Sequence, residues 1–113
     1  MSNPSFFVGM AGPGCAIEIR LPDPFDRVSG LTVDIMSAST RSFSALFRFS
    51  DGSTLTLSTW TITTVSADLV KAVYVPIASD FTVPGSAIIE SSITLDGVVY
   101  PYRDKDTFVR PRP

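Results

Sequence analysis

The stretch FSALFRFSDGSTLTL, residues 43–57, decides the fold. Phe43, Ala45, Phe47 and Phe49 fall at every second position, with Ser44, Arg48 and Ser50 on the alternate positions. Side chains in a strand repeat with a period of two, so this is a strand with one apolar face. Ser50-Asp51-Gly52-Ser53 then breaks the pattern. Asp-Gly is a strong hairpin signal, expected here as a type I′ turn because both residues tolerate positive φ. The return strand is expected within the Thr-rich run Thr54 to Thr64, where Leu55 and Leu57 face one way and Trp60 and Ile62 the other. That change of face predicts a bulge or a strand that passes from one sheet to another.

The same period extends in both directions. Upstream, Cys15, Ile17, Ile19 and Leu21 share a face opposite Glu18 and Arg20, and Leu31, Val33 and Ile35 form a further inward row with Thr32 and Asp34 outward. Downstream, a strand from Leu69 to Val75 stops at Pro76. Periodicity then lapses until Gly85, where a crossover connection is expected, with Ser79 placed to cap at most one short helical turn near residues 77–82. Alternation resumes through Ala87, Ile89, Ser91, Ile93 and Leu95, a second turn at Asp96-Gly97 leads into Val98 to Tyr102, and Phe108-Val109 closes the chain. Seven or eight short strands with no convincing helix predict an all-β, antiparallel sandwich. Its predicted core holds Ile17, Ile19, Val33, Ile35, Phe47, Leu55, Trp60, Ile89 and Ile93.

With 113 residues and 44% hydrophobic side chains, the chain has enough apolar mass for one core and no room for two, so residues 1–113 are expected to form a single domain. A net charge of −2 supplies no general cationic field, which argues against nucleic acid or anionic lipid as a partner. The local exception is the end of the chain, where Arg103, Lys105, Arg110 and Arg112 outnumber Asp104 and Asp106. A solvated or docking tail explains that excess as well as phosphate contact does. The opening MSNPSFFVGMAGPGCAI has no basic n-region and is broken by glycine and proline, so it makes a poor signal peptide. No run approaches the ~20 apolar residues of a membrane span. Synthesis in the cytoplasm without secretion is the expectation.

Catalytic chemistry finds little to use. One cysteine and no histidine exclude an internal disulfide and an imidazole-based zinc site. The acid pairs Asp23/Asp26 and Asp104/Asp106 sit among Pro, Arg or Lys, where loop solvation and local ion pairing account for them. A serine nucleophile would need Lys71 or Lys105 as its base. Gly9 to Gly14 follows no phosphate-loop pattern. The scattered acids Asp23, Asp26, Asp51, Asp80 and Asp96 have no calcium-loop spacing, and Asp51 and Asp96 already have turn roles. No enzyme activity, metal or cofactor is therefore expected.

Taken in order, Phe6-Phe7-Val8-Gly9, Gly12-Pro13, Ala16-Ile17-Glu18-Ile19, the hairpin Asp51 to Thr56, Ser79-Asp80-Phe81 with Val83-Pro84-Gly85, and Ile93 to Gly97 span nearly the whole chain. The layout resembles the small Ig-like domains of tailed-bacteriophage virions, including the N-terminal domain of baseplate upper proteins and small head, neck and tail proteins. That resemblance implies an Ig-like sandwich and a structural role in a virion, with head decoration or neck favoured, bound to copies of itself as a homo-oligomer and to capsid, neck or tail subunits. Residues 1–5 and 103–113 are candidate extended docking segments; the ending Arg110 to Pro113, whose prolines cannot donate to a ladder, reads as a peptide lying on a neighbouring subunit or as a frayed terminus. The interface candidates are Phe6, Phe7, Arg103, Lys105, Phe108, Val109, Arg110 and Arg112. A carbohydrate-binding module presenting Trp60, Tyr100 and Tyr102 is the alternative, and neighbouring genes would separate the two.

Overall fold

The long strand predicted from Phe43 to Phe49 begins two residues earlier, as β5 (Arg41–Phe49), with Phe43, Ala45, Phe47 and Phe49 all buried. The computed structural model describes residues 6–66 and 69–111. Strands account for 54% of the structure and short 3-10 turns for 6%, so the chain is all-β. In chain order the other strands are β1 (Phe6–Phe7), β2 (Ile17–Arg20), β3 (Phe25–Asp26), β4 (Leu31–Thr32), β6 (Thr54–Leu57), β7 (Thr61–Ser66), β8 (Leu69–Tyr74), β9 (Gly85–Leu95), β10 (Val98–Pro101) and β11 (Lys105–Arg110).

The larger sheet has the order β1-β11-β9-β5-β6, with β10 also on β9, and it curls into a half-barrel. The smaller sheet is β2-β8-β7, and β3 and β4 pair only with each other. One continuous core draws on both sheets, with Phe43, Phe47 and Ile93 from the larger and Ile17, Val70 and Ala72 from the smaller. The chain passes between sheets at residues 57–61, as the change of face predicted. Trp60 sits buried at that crossing and donates its indole N–H to the Leu57 carbonyl at 2.8 Å.

The two Asp-Gly turns differ. At Asp96-Gly97 both residues have positive φ, 50° and 84°, as a two-residue type I′ turn requires. At the first hairpin only Gly52 is left-handed, with φ 88°. There the Gly52 N–H donates to the Phe49 carbonyl at 3.0 Å and the Phe49 N–H to Ser53 at 2.9 Å. This is a type I turn closed by a glycine bulge, which corrects the type I′ expectation.

The β9 strand is the spine of the larger sheet. Along one edge it pairs with β5 from Ala87 to Leu95; along the other it pairs with β10 and then β11. Pro101 lies opposite Ser92 and Lys105 opposite Ile89, so three residues (102–104) face two (90–91). Thus β10 and β11 are one strand interrupted by a one-residue bulge, across which the Tyr102 N–H still reaches the Ser91 carbonyl at 2.9 Å. Where β9 begins, Gly85 has φ 116°, and a Cβ there would lie 2.9 Å from the Ser50 hydroxyl, so only glycine fits without strain.

Three expectations are corrected. The sheet is not purely antiparallel, because β1 runs parallel to β11, with Phe6 opposite Val109 and Phe7 opposite Arg110. The expected inward row Leu31, Val33, Ile35 is not a strand face: Leu31 is exposed while Ile35 is fully buried in a 3-10 turn, Ile35–Ser37. The Asp34 carboxylate caps that turn by accepting from the Met36 N–H, and this local bond outcompetes the ladder. Residues 77–82, with room for at most one helical turn, fold as a turn with Asp80 accepting from the Ile77 N–H; the other 3-10 turn lies at Pro13–Cys15. Ile19, Val33 and Leu55 of the predicted core are only partly buried, packed against its rim, whereas Phe81, which carried no periodic signal, is fully buried.

Candidate interaction surface

Four of the aspartates hold loops and turns. Asp23 accepts from the Ile35 N–H at 3.1 Å, Asp26 from the Val28 N–H at 2.9 Å, and Asp51 from the Ser53 N–H at 2.8 Å. The Ser53 hydroxyl is the main cause that holds the Asp51 carboxyl below its ordinary range, with the Ser53 N–H adding to it. Asp96 accepts from the N–H groups of both Ser39 and Thr40 at 2.9 Å, fastening the start of β5 to the β9–β10 turn. Lys71 pairs with Glu18, and Arg48 with Glu90. Among the described residues no three metal-ligating side chains converge.

The aromatic residues that would serve a sugar are used internally. Trp60 packs edge-on against Phe43 at 5.1 Å and lies 5.4 Å from Tyr74. Tyr102 packs on Phe43 and donates its hydroxyl to the Pro22 carbonyl at 2.8 Å. Burial, with the charge of Asp23 second, drives the ionisation of Tyr102 well above the ordinary tyrosine value. Tyr100 is half-buried on β10 and packs against the core.

The candidate interface residues divide into two groups. Phe6 and Val109 point inward and are fully buried in the chain's own core, so neither offers side-chain surface. Phe7 is half-buried, and Phe108, Lys105, Arg103 and Arg110 are exposed. Within β11, residues 105–109 pair with β9, whereas β1 covers the other edge only at Val109 and Arg110. Arg112 and residues 1–5 lie outside the described residues. On the outer face of the larger sheet Phe108 lies diagonally across from Ile88, and both are exposed.

The most exposed apolar group was not among these candidates. In the β3–β4 hairpin, Phe25, Val28 and Leu31 are 58%, 98% and 68% exposed. Phe25 pairs with Thr32 and Leu31 with Asp26, so Phe25 and Leu31 project to opposite faces and the hairpin has no layer over either. It is nevertheless ordered by its own bonds: the Gly30 N–H donates to the Asp26 carbonyl at 2.8 Å and the Val33 N–H to the Pro24 carbonyl at 2.8 Å. Buried Pro24 and the Tyr102–Pro22 bond fix its base. The available sequence signal was Val28, an apolar residue at the tip of an Asp26-to-Gly30 turn, where polar residues are the rule.

In comparison with known proteins, no family model, no curated protein and no solved structure matches the chain. Among the described residues no helix is long and apolar enough to cross a membrane.

Proposed function

We propose that the chain is a non-enzymatic structural protein of a tailed-phage virion, an Ig-like sandwich that joins head, neck or tail subunits after synthesis in the host cytoplasm. The observation that carries this reading is the β3–β4 hairpin. Three large apolar side chains stand in solvent on a scaffold held by its own hydrogen bonds, and such a group is disfavoured on a surface with no partner. Being ordered in advance, the hairpin would lose little conformational entropy on docking. The Ig-like assignment draws support from the sheet switch at Trp60 and from the parallel pairing of β1 with β11 at one side of the larger sheet.

The test is incorporation of the variant Val28→Asp into particles. Val28 is almost wholly exposed, so the variant keeps its fold by circular dichroism. At least a tenfold loss of the variant from purified particles is expected, since a buried unpaired carboxylate is costly. Incorporation equal to the parent would remove the hairpin as the docking element.

A further inference from the structure

We infer that the free edge of β6 binds a second copy of this chain, the two strands pairing antiparallel about a two-fold axis centred on Leu55. This deepens the assembly reading by naming one partner, and it is carried by different residues.

The edges of the two sheets are not equivalent. β1 is two residues long, β2 carries Glu18 and Arg20, β7 is bulged between Thr64 and Ser66, and β10 ends in Pro101. Shortness, charge, bulges and proline are the usual means of blunting an edge. β6, Thr54-Leu55-Thr56-Leu57, has no charge, proline or bulge, and among the described residues no strand pairs with it on the side away from β5. It opens a run from Ser53 to Ser66 with no charged residue, in a chain that is 18% charged. A two-fold pairing sets a strand against itself, so any charge in it would meet its like. An uncharged edge suits a copy of itself better than a charged partner.

The register follows from the hairpin. The Phe49 N–H donates to Ser53, which makes that pair hydrogen-bonded, and the ladder alternates from there. Leu55 and Leu57 therefore turn their backbone groups toward β5, and Thr54 and Thr56 turn theirs outward. Centred on Leu55, Thr54 of each chain faces Thr56 of the other, and the two pairs exchange four hydrogen bonds. Leu55 then meets Leu55 of the second copy at a close, non-hydrogen-bonded position, with Cα atoms about 4.5 Å apart. Leu55 lies on the core face yet is only half-buried in the single chain, and this contact covers its remaining surface. Four bonds over four residues make a weak dimer in solution, strengthened where a particle holds copies side by side.

Sedimentation velocity from about 10 μM to about 1 mM tests the inference, and a monomer–dimer equilibrium within that range is expected. Thr56→Pro removes an outward N–H and no bond of the chain's own ladder, so it keeps the β spectrum and weakens dimerisation at least tenfold. If that variant misfolds, Thr56→Lys, which leaves the backbone intact, serves the same purpose. In a Cys15→Ser background, Leu55→Cys should form an intermolecular disulfide under mild oxidation, whereas Ser53→Cys, opposite residue 57 of the copy, should not. A monomer throughout the range, a dimer that survives both Thr56 substitutions, or cross-linking through position 53 and not 55 overturns the inference. A monomer that still enters particles would end this inference and leave the assembly reading standing. A dimer missing from particles would do the reverse.

Discussion

The ring of Phe6 meets the ring of Phe47 edge-on, with centroids 5.5 Å apart and planes at 73°. Phe81 completes the group at 5.3 Å from each. Three distant parts of the sequence, the first described residue, the middle of β5 and the aperiodic segment before β9, are thereby fixed to one another. Phe47→Ala is expected to cost about 3–5 kcal/mol, with Trp60→Ala at the other aromatic group costing a similar amount. Phe6→Ala costs less beside Phe47→Ala than alone, by about 0.5–1.5 kcal/mol of ring–ring coupling. Denaturant unfolding of the two single variants and the double variant measures it, and strict additivity would show that the rings are neighbours without coupling.

Asp96 has two separable roles, a left-handed backbone at φ 50° and a carboxylate that takes the N–H groups of Ser39 and Thr40. Asparagine keeps the backbone preference and one acceptor oxygen, whereas alanine keeps neither. Asp96→Ala is expected to lower stability by about 1–3 kcal/mol and Asp96→Asn by less than half as much. Equal midpoints for the two variants in urea would assign the whole effect to the carboxylate charge.

Tyr74 gives a pH signature. Its hydroxyl donates to Asp80 at 2.6 Å, and burial first, then that bond and the Asp80 charge, push its pKa up to about 12. The unfolded phenol ionises near 10. The folded state therefore holds its proton where the unfolded state has lost it, and the stabilisation is complete below pH ~10 and lost as pH rises toward 12. Ultraviolet titration of the native protein should show this phenol ionising late, and Asp80→Asn should shift it downward. An unshifted titration in that variant would leave burial as the only cause.

The parts of the fold legible in the sequence were those where a side-chain pattern repeats within one strand. The rows on β5 and β9 and the turns at Asp51 and Asp96 depend on local periodicity and backbone preference, and both hairpins formed where expected. The parallel β1–β11 pair was not legible, because two residues carry no period and the partner is a hundred residues away. At Leu31 to Ile35 an apparent alternation misled, since the Asp34 side chain offered the backbone a nearer hydrogen bond. Val109 has the composition of a docking residue and the position of a core one, and only the tertiary pairing of β11 distinguishes them. The β3–β4 hairpin had the reverse problem: apolar residues there look like core until the structure leaves them uncovered.

The most direct measurement is the copy number of this chain in tailed-phage particles purified through a density gradient, by quantitative mass spectrometry against the major capsid protein. A structural subunit is present at a fixed whole-number ratio set by the particle's symmetry, the same in every preparation. Absence from the particles, or trace amounts that vary between preparations, would contradict the virion assignment.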